Sequence, residues 1–318
     1  MIYLILFIIS FSLTYVIKEI ALKKSLLAYV NERSSHTKPV PHGGGVAIVV
    51  TWCIGLFYLY FNNNIDSNLF FALISGLIIS VVSYFDDLFE LSAKLRLFFQ
   101  ALVAFLGLYF LDGLKEVDLF IFTIENPVIV NLFAFIMIIW FINLYNFLDG
   151  IDGYAGAEAI FLAIAGYVLF GGEHFLILIA AVLGFLIWNW HEAKIFMGDV
   201  GSTLLGYNIA IFTIYYANQD SNNLWIWIIL FSLFWFDATL TLYRRKKNKE
   251  KISQAHKKHA YQRLVQAGWK HDEVVKFAII INIILLFIAL LFNAFLAFIL
   301  AIVLLFYIMK RIDNIKGF

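Results

Sequence analysis

Two kinds of polar cluster could do chemistry in a chain that is otherwise strongly apolar. The first kind supplies carboxylate and amide oxygens, which belong to Asp86, Asp87, Asn143, Asn146, Asp149, Asp152 and Asp199. If these side chains converge, they repel one another and any phosphate, unless some are protonated or a cation lies among them. Hard oxygen ligands with no His or Cys nearby in sequence favour Mg²⁺, with Mn²⁺ as the alternative, over Zn²⁺. The sequence therefore predicts a divalent metal site.

The second kind of cluster is cationic and consists of HKKHAYQRL, residues 256–264. The spacing of three between His256 and His259 could suit zinc. The neighbouring charges of Lys257, Lys258 and Arg263 favour a different use, because a row of cations binds anions. We interpret this cationic segment as an anion-binding strip.

The amide and carboxylate series between 143 and 152 predicts a local break in a helix. Its members are three residues apart, so neighbours share a helical face while the two ends drift to opposite sides. Gly150 and Gly153 allow the helix to end and the later carboxylate to fold back. Non-helical backbone at membrane depth must be buried in protein or line a watery cavity. The pattern therefore predicts a polar pocket at a membrane boundary.

Membrane helices are the elements that must position these clusters. Of 318 residues, 63% are hydrophobic and only 14% charged, which indicates an integral membrane protein rather than a soluble domain. We predict an all-α fold with about eleven transmembrane helices, the first of which is a retained anchor and not a signal peptide. The predicted spans are 2–17, 43–61, 69–85, 96–111, 129–147, 155–170, 173–189, 201–217, 224–242, 274–292 and 293–309.

The distribution of positive charge predicts the orientation. With the N-terminus outside, the inside loops hold 22 of the 23 Lys and Arg residues, and Lys115 alone lies outside. Residues 1–318 then form one polytopic domain, N-out and C-in, with every polar cluster on the cytoplasmic face. The predicted cytoplasmic loops are about 18–42, 86–95, 148–154, 190–200 and 243–273.

Simpler interpretations exist for several of these features. Asp112 and Asp237 could be helix caps or solvated helix ends, and the glycines at 43–45 could serve close helix packing as well as substrate approach. Carboxylates within a membrane also mark ion pathways, so a cation-coupled transporter is an alternative from another functional class. A transporter would need polar groups near the midplane, whereas the clusters here gather at the inner edge.

Taken together, the motifs resemble those of the polyprenyl-phosphate N-acetylhexosamine-1-phosphate transferases, a family that includes the phospho-MurNAc-pentapeptide translocases. The matching segments are RSSHTKPVPHGGG (33–45), DDLFE (86–90), NLYNFLDGIDGYAG (143–156), FMGDVGSTLLG (196–206) and HKKHAYQRL (256–264). The resemblance implies a bacterial cytoplasmic-membrane enzyme in which undecaprenyl phosphate attacks the sugar-linked phosphorus of a UDP-sugar and releases UMP. It implies Mg²⁺ as the cofactor and no nucleic-acid partner, and it leaves a homodimer open.

The resemblance also implies catalytic and metal-binding roles. Asp199 would be the main Mg²⁺ ligand, with a neutral oxygen of Asn146 beside it. Asp86 and Asp87 would position groups or act as a base, because adjacent helical residues point about 100° apart and are poorly placed to share one ion.

At the donor end, the resemblance implies that Asp149 and Asp152 shape the metal and nucleotide pocket and that Phe196 stacks on uracil. Basic side chains would hold the sugar phosphate at the cationic segment and the lipid phosphate at the start of the fourth span. The remaining substrate-binding positions are Asn143, His256, His259, Arg263, Lys94 and Arg96.

One departure from the family pattern bears on the substrate. HKKH differs from the triple-His run expected of the pentapeptide translocases, and HAYQ resembles transferases that begin O-antigen or other surface glycans. The sequence therefore favours a HexNAc or 6-deoxy-HexNAc donor in lipopolysaccharide-type envelope synthesis, with a translocase-like enzyme as the alternative. GlcNAc, GalNAc, FucNAc and QuiNAc all remain open as the sugar.

Overall fold

The computed structural model of the protein describes residues 1–24, 27–28, 39–89, 91–251 and 256–318. Positions 33–38 of the RSSHTKPVPHGGG motif and Glu90 of DDLFE therefore lie outside the described residues. Within the described ranges the chain is almost entirely helical, which confirms the all-α prediction.

Thirteen helices and two very short antiparallel strand pairs make up the described part of the chain. Strands β1 (Leu27–Ala28) and β2 (Val40–Pro41) pair with each other, as do β3 (Val117–Asp118) and β4 (Thr123–Ile124). The helices are α1 (Ile2–Lys23), α2 (Gly45–Phe61), α3 (Ser67–Phe89), α4 (Ala93–Phe110), α5 (Pro127–Leu148), α6 (Tyr154–Phe170), α7 (Glu173–Asn189), α8 (Asp199–Ala217), α9 (Asn222–Leu230), α10 (Ser232–Lys247), α11 (Ala260–Gln266), α12 (His271–Leu291) and α13 (Ala294–Ile315).

The protein is a multi-pass membrane protein. Among the described residues, six helices (α1, α3, α4, α5, α12 and α13) are long and apolar enough to cross a membrane, and the bent pair α9 and α10 would make a seventh. Three shorter apolar helices, α2, α6 and α7, accompany them. Ten of the eleven predicted spans each fall on a single helix, but the span count and the orientation stay predictions. The range 224–242 differs from its prediction, because a 73° bend separates α9 from α10.

Helix α8 lies at the centre of the bundle, and only Asp199 and Tyr215 of its residues escape full burial. Small residues let its neighbours approach closely, as at Gly206, which lies against the backbone of α5. The hydroxyl of Tyr207 contacts the hydroxyl of Ser75 at 2.7 Å and donates to the Ala72 carbonyl at 2.7 Å, which joins α8 to α3. This packing fixes the first residue of α8, Asp199, relative to α3 and α5.

Two predicted cytoplasmic loops are more helical than the sequence suggested. Residues 86–95 include the last turn of α3 and the first turn of α4, where the side chain of Ser92 caps the new helix by accepting from the Leu95 N–H. Residues 243–273 include the end of α10, all of α11 and the start of α12. Hydropathy marks where apolar residues stop, whereas a helix continues until its backbone is capped or broken.

Candidate active site

Three predicted site residues from three different helices meet at the N-terminus of α8. The side-chain nitrogen of Asn146 donates to Asp199 Oδ1 at 2.8 Å and to Ser202 Oγ at 3.0 Å. The backbone N–H of Asp199 points to Asp87 Oδ1 at 3.4 Å. The ends of α3, α5 and α8 are therefore joined by polar contacts at one point.

This geometry bears on the role predicted for Asn146. Its amide nitrogen, rather than its amide oxygen, faces the carboxylate of Asp199. In this arrangement Asn146 holds Asp199 in place by a hydrogen bond. The amide group of Asn146 would have to flip before its oxygen could face an ion bound by Asp199. Ligation of a metal by Asn146 stays a prediction.

Asp87 approaches the backbone just before α8 because Gly198 has no side chain. Gly198 has a φ of +76°, and a Cβ at this position would lie 2.8 Å from Asp87 Oδ2. That buried oxygen has no hydrogen-bond partner among the residues that the structure describes. A buried carboxylate oxygen without a partner is costly, and a cation beside it removes the cost. The residues present therefore fit the divalent ion that the sequence predicts.

Asp86 faces a different direction and forms an ion pair. Its Oδ2 lies 3.0 Å from a guanidinium nitrogen of Arg96, and its Oδ1 accepts from the Leu91 N–H at 2.7 Å. Asp86 is buried, whereas nearly half of the Arg96 side chain is exposed. Lys94 lies exposed in the first turn of α4. The structure thus separates the two carboxylates, as adjacent positions on a helix require.

A cavity of about 290 Å³ opens between α3, α4, α5 and α8. Its polar lining includes the Asn143–Gln100 pair, in which Asn143 Nδ2 donates to Gln100 Oε1 at 2.8 Å. Charged and polar side chains, among them Asp86, Arg96 and Asp199, share the lining with apolar ones. The lining residues are Ile79, Val82, Ser83, Asp86, Ala93, Arg96, Leu97, Gln100, Ile142, Asn143, Asn146, Phe147, Asp199 and Thr203.

The second half of the amide and carboxylate series lies in the DG loop, residues 149–153, between α5 and α6. Gly153, with a φ of +75°, is the last residue of this non-helical loop before α6 begins. Removal from water, together with the negative charges of Asp199 and Asp152, raises the pKa of Asp149 to about 7. The predicted helix break is therefore present, and it places Asp149 close enough to Asp199 for their charges to interact.

Asp152 does not belong to a purely oxygen-rich group, contrary to the expectation from neighbouring sequence. Its Oδ2 lies 3.1 Å from His271 Nδ1 and 3.3 Å from His191 Nδ1, and it accepts from the Ala193 N–H at 3.2 Å. Burial alone would raise the pKa of Asp152, but these contacts outweigh it and hold the pKa below its usual range. The two histidines come from the linking segment 190–198, between α7 and α8, and from the start of α12.

The backbone around Phe196 pairs with the segment that precedes α2. Phe196 N–H donates to the Pro41 carbonyl at 2.8 Å, and Gly44 N–H donates to the Phe196 carbonyl at 2.9 Å. A side chain at Gly44 would meet the ring of Phe185, and one at Gly45 would meet the backbone of Gly201. Close packing therefore explains these two glycines. The side chain of Phe196 is half-buried, and its stacking on uracil stays a prediction.

The cationic segment carries less free charge than its sequence suggests. Arg263 lies 2.6 Å from Asp313 Oδ1 in α13 and also donates to the Lys316 carbonyl at 2.9 Å. Lys258 lies 2.6 Å from a carboxylate oxygen of Glu250. Both cations therefore hold the protein's own anions in this structure, and their binding to a sugar phosphate stays a prediction.

The two histidines of this segment have unequal surroundings. His259 is buried and lies 3.6 Å from Asp237, whereas His256 is half-buried with its ring centre 4.9 Å from that of His259. Burial and the neighbouring positive groups His259 and Arg245 lower the pKa of His256 to about 4. His256 is therefore neutral at physiological pH, and it would serve an anion as a neutral hydrogen-bond donor.

Sequence reasoning missed five residues that organise the site. Gln100, His191 and His271 are isolated polar residues with no motif spacing to mark them. Asp237 is buried within α10 and accepts from the Ala260 N–H at 2.9 Å, so it caps α11. Of its two simpler interpretations, the solvated helix end is wrong and the helix cap agrees with this contact. Tyr261 donates to the Phe147 carbonyl at 3.2 Å and touches Gly150, so it joins the cationic segment to the DG loop.

Comparison with known proteins identifies the family of the chain. A family model described as glycosyl transferase family 4 matches residues 69–217. A Bacillus subtilis protein named "probable undecaprenyl-phosphate N-acetylglucosaminyl 1-phosphate transferase" is 33% identical over 277 residues, covering 81% of this chain and 75% of the relative. The chain belongs to the polyprenyl-phosphate N-acetylhexosamine-1-phosphate transferase family. An undecaprenyl-phosphate alpha-N-acetylglucosaminyl 1-phosphate transferase of Thermotoga maritima is 32% identical over 286 residues, 87% of each chain.

Family membership confirms the resemblance found in the motifs and gives no support to the transporter alternative. The matched range holds the carboxylates of α3, the DG loop and the start of α8, but it ends before the cationic segment. A phospho-N-acetylmuramoyl-pentapeptide-transferase of Streptococcus pyogenes is also similar, at 30% identity over 233 residues, which cover 64% of this chain and 68% of the relative.

Proposed function

We propose that the protein transfers a sugar 1-phosphate from a UDP-sugar to undecaprenyl phosphate at the cytoplasmic face of the bacterial inner membrane. The observation that carries this proposal is the cavity between α3, α4, α5 and α8. Its lining combines a cation, Arg96, with carboxylates and an apolar wall that includes Val82, Leu97 and Ile142. A ligand with a charged head and a hydrocarbon tail matches that combination.

The reaction exchanges one phosphoanhydride for another. An oxygen of the lipid phosphate forms a bond to the sugar-bearing phosphorus, while the bond from that phosphorus to the UMP oxygen breaks. No ATP is needed, because the phosphoanhydride that forms is of the same kind as the one that breaks. The lipid phosphate is already anionic near neutral pH. The task of the protein is therefore to align two anions and to neutralise their charge.

A divalent ion, Mg²⁺ or Mn²⁺, would supply that neutralisation by offsetting the charge of the diphosphate. Asp199 is the residue that we propose as its main ligand, and the buried Oδ2 of Asp87 is a further oxygen without a protein partner. Asn146 and Ser202 keep the Asp199 side chain in a defined position. The N-terminus of α8 adds a favourable field for anions at the same point.

The acceptor phosphate is proposed to lie near Arg96. Asp86 holds the Arg96 guanidinium at the cavity by the 3.0 Å ion pair, while the exposed half of the side chain leaves donors available for a second anion. Lys94, in the first turn of α4, is exposed and adds positive charge at the entrance of the cavity. Asp86 thus acts through Arg96, as a positioning residue.

On the donor side, we propose that the DG loop and the linking segment 190–198 hold the nucleotide, with Asp152 and Phe196 as the contacts. The sugar is proposed to be a HexNAc or a 6-deoxy-HexNAc, and the product to begin O-antigen or another surface glycan. The GlcNAc named in several relatives supports the HexNAc class. HKKH in place of a triple-His run argues against a MurNAc-pentapeptide donor.

The test supplies membranes containing the protein with undecaprenyl phosphate and a panel of radiolabelled donors. The panel holds UDP-GlcNAc, UDP-GalNAc, the UDP forms of FucNAc and QuiNAc, and UDP-MurNAc-pentapeptide. We expect one HexNAc-type label to enter the lipid fraction with equimolar UMP release, and none to enter in membranes that carry Asp199→Asn at equal expression. Label from the MurNAc-pentapeptide alone would support the translocase alternative, and no lipid label from any donor would contradict the proposal.

A further inference from the structure

Asp152, His191 and His271 form a compact group in which the proposed transfer reaction gives a role to Asp152 but none to the two histidines. They come from the DG loop, the linking segment 190–198 and the start of α12. One ligand atom from each lies within 4.8 Å of the other two. Asp152 and His271 are buried, whereas His191 reaches the surface. Three separate parts of the chain therefore meet at a single carboxylate.

The distances within this group match those between ligands of one small ion. Asp152 Oδ2 lies 3.1 Å from His271 Nδ1 and 3.3 Å from His191 Nδ1. Ligands that bind Zn²⁺ tetrahedrally at about 2.0–2.2 Å lie roughly 3.3 Å from one another. The His191 ring is partly exposed, and its centre lies 5.6 Å from that of the His271 ring.

The contacts also need a proton or a metal ion between the nitrogen and oxygen atoms. The Asp152 N–H points to His271 Nδ1 at 3.3 Å, a long contact that an ion on the same nitrogen would replace. A carboxylate oxygen and a bare imidazole nitrogen both present lone pairs, so their close approach is repulsive unless a proton or a metal ion lies between them. The Ala193 N–H already donates to the same oxygen at 3.2 Å, as outer partners of metal-bound carboxylates do. Either two protons or one divalent ion completes the group.

We propose that Asp152, His191 and His271 bind one divalent ion of the Zn²⁺ class. Two imidazole nitrogens and one carboxylate oxygen suit Zn²⁺ and Co²⁺, whereas Mg²⁺ prefers oxygen ligands alone. This site is separate from the oxygen-rich site at Asp199. The contacts to both histidines are made by Asp152 Oδ2.

An ion at this point would tie the two sides of the candidate active site together. The DG loop continues directly from α5, which bears Asn146, and the linking segment 190–198 leads directly to Asp199. The start of α12 supplies the third attachment through His271. The ion would therefore stabilise the relative position of the two sides without taking part in the reaction.

The test uses the purified full-length protein in detergent, without a polyhistidine tag, lipid acceptor or nucleotide sugar. Co²⁺ is titrated in, and the visible absorption of tetrahedral Co²⁺ is recorded. We expect saturation at one ion per chain, displacement by Zn²⁺, and persistence in excess Mg²⁺ and in Asp199→Asn. The unfolding temperature should rise with Zn²⁺ in the same protein.

Three variants separate metal binding from hydrogen bonding. His271→Gln and His191→Gln each keep an N–H donor for Asp152 but remove an imidazole ligand, so Co²⁺ affinity should fall by more than about tenfold. His256→Ala, a histidine outside the group, is the matched control and should bind normally. If His271→Gln fails to fold, the test rests on His191→Gln, because the His191 side chain lies at the surface.

Two outcomes would overturn the proposal. One is the absence of saturable tetrahedral Co²⁺ absorption in the folded protein. The other is binding that both Gln variants leave unchanged. In either case protons, and not a metal ion, complete the group. Because no substrate is present in these measurements, their outcome does not depend on whether the transfer reaction proposed above is correct.

Discussion

The carboxylate pocket, formed by Asp87, Asp149 and Asp199 at the start of α8, differs from the cationic segment at 256–264 in how its charges are compensated. In the pocket, Asp87 Oδ2 is buried without a partner among the described residues, and the pKa of Asp149 is raised to about 7. In the cationic segment, Arg263 is paired with Asp313 and Lys258 with Glu250. One region keeps negative charge uncompensated, while the other compensates its positive charge internally.

This difference indicates different uses for the two regions. Uncompensated buried charge raises the free energy of the folded protein, so its presence suggests that a ligand provides the missing partner. Paired charges, by contrast, contribute mainly to the position of the helices that carry them. We therefore expect substitutions in the pocket to change activity more than stability, and substitutions in the cationic segment to change both together.

We expect both regions to face the cytoplasm. A reporter that is active only outside the cytoplasmic membrane should be active when fused after Asn64 or Asn222 and silent when fused after Lys249, because 22 of the 23 Lys and Arg residues fall on one side. The effect is all or none. Activity after Lys249 would reverse the orientation and separate the candidate site from cytoplasmic nucleotide sugars.

Asp199→Asn should cause the largest loss of activity. The change keeps the shape of the side chain and removes its charge, so we expect at least about a 10²–10³-fold loss, the scale of removing one preorganised electrostatic group. Exchange of labelled UMP into the UDP-sugar across a Mg²⁺ titration measures it, with membrane expression as the control. Wild-type exchange with an unshifted Mg²⁺ midpoint would remove Asp199 from the metal site.

Arg263→Ala and Asp313→Ala test the paired charges of the cationic segment. The sequence alone predicts a loss of roughly 2–4 kcal/mol of transition-state stabilisation from Arg263→Ala or His259→Ala, through lost phosphate binding. The ion pair predicts instead that the two partners act as a unit, with a coupling energy of about 0.5–3 kcal/mol in a double-mutant cycle.

We expect the second result. Thermal stability should then fall in both variants, and further in Asp313→Ala, because Asp313 also pairs with Arg244 at 2.8 Å. Donor KM should change in the same direction in Arg263→Ala and Asp313→Ala, and Lys249→Ala, after the end of α10, serves as a control with little effect. A donor KM that rises in Arg263→Ala but not in Asp313→Ala would show that Arg263 binds the sugar phosphate directly.

Asp87→Asn should stabilise the protein while it lowers activity. The amide keeps an oxygen for the Asp199 N–H but removes an unpartnered buried charge, so we expect a gain of roughly 1 kcal/mol in the free energy of unfolding without metal. Thermal unfolding with a chelator, beside UMP exchange with Mg²⁺, measures both. Loss of activity together with lower stability would mean that Asp87 serves folding alone.

The smallest expected effect is a pH dependence of stability from Asp149. Its folded pKa of about 7 lies above its ordinary value of 3.8, so its contribution is fully present below about pH 4 and is lost as the pH rises through about 7. In a chelator, the unfolding temperature should therefore fall more between about pH 5 and pH 8 in the natural protein than in Asp149→Asn. Equal slopes would place Asp149 in contact with water.

Much of the fold follows from hydropathy, because a long apolar run can be satisfied in lipid only as a helix. The 73° bend between α9 and α10 does not, since both halves are apolar and no Pro or Gly marks the break. The carboxylates Asp149 and Asp152 were predicted from their spacing within one segment. The contacts of Asp152 with His191, of Asp237 with Ala260 and of Arg263 with Asp313 were not, because the partners lie 39, 23 and 50 residues apart and are brought together by packing.

The cavity between α3, α4, α5 and α8 has a further consequence for kinetics. At about 290 Å³ it lies at the low end of small-molecule pockets, so the phosphate end of a polyprenyl acceptor fits inside while the rest of the tail stays in the bilayer. On the proposed function, the acceptor therefore arrives by two-dimensional diffusion, and its effective concentration is its mole fraction among the lipids. Adding inert phospholipid should slow the reaction, whereas diluting the membrane suspension with buffer should not.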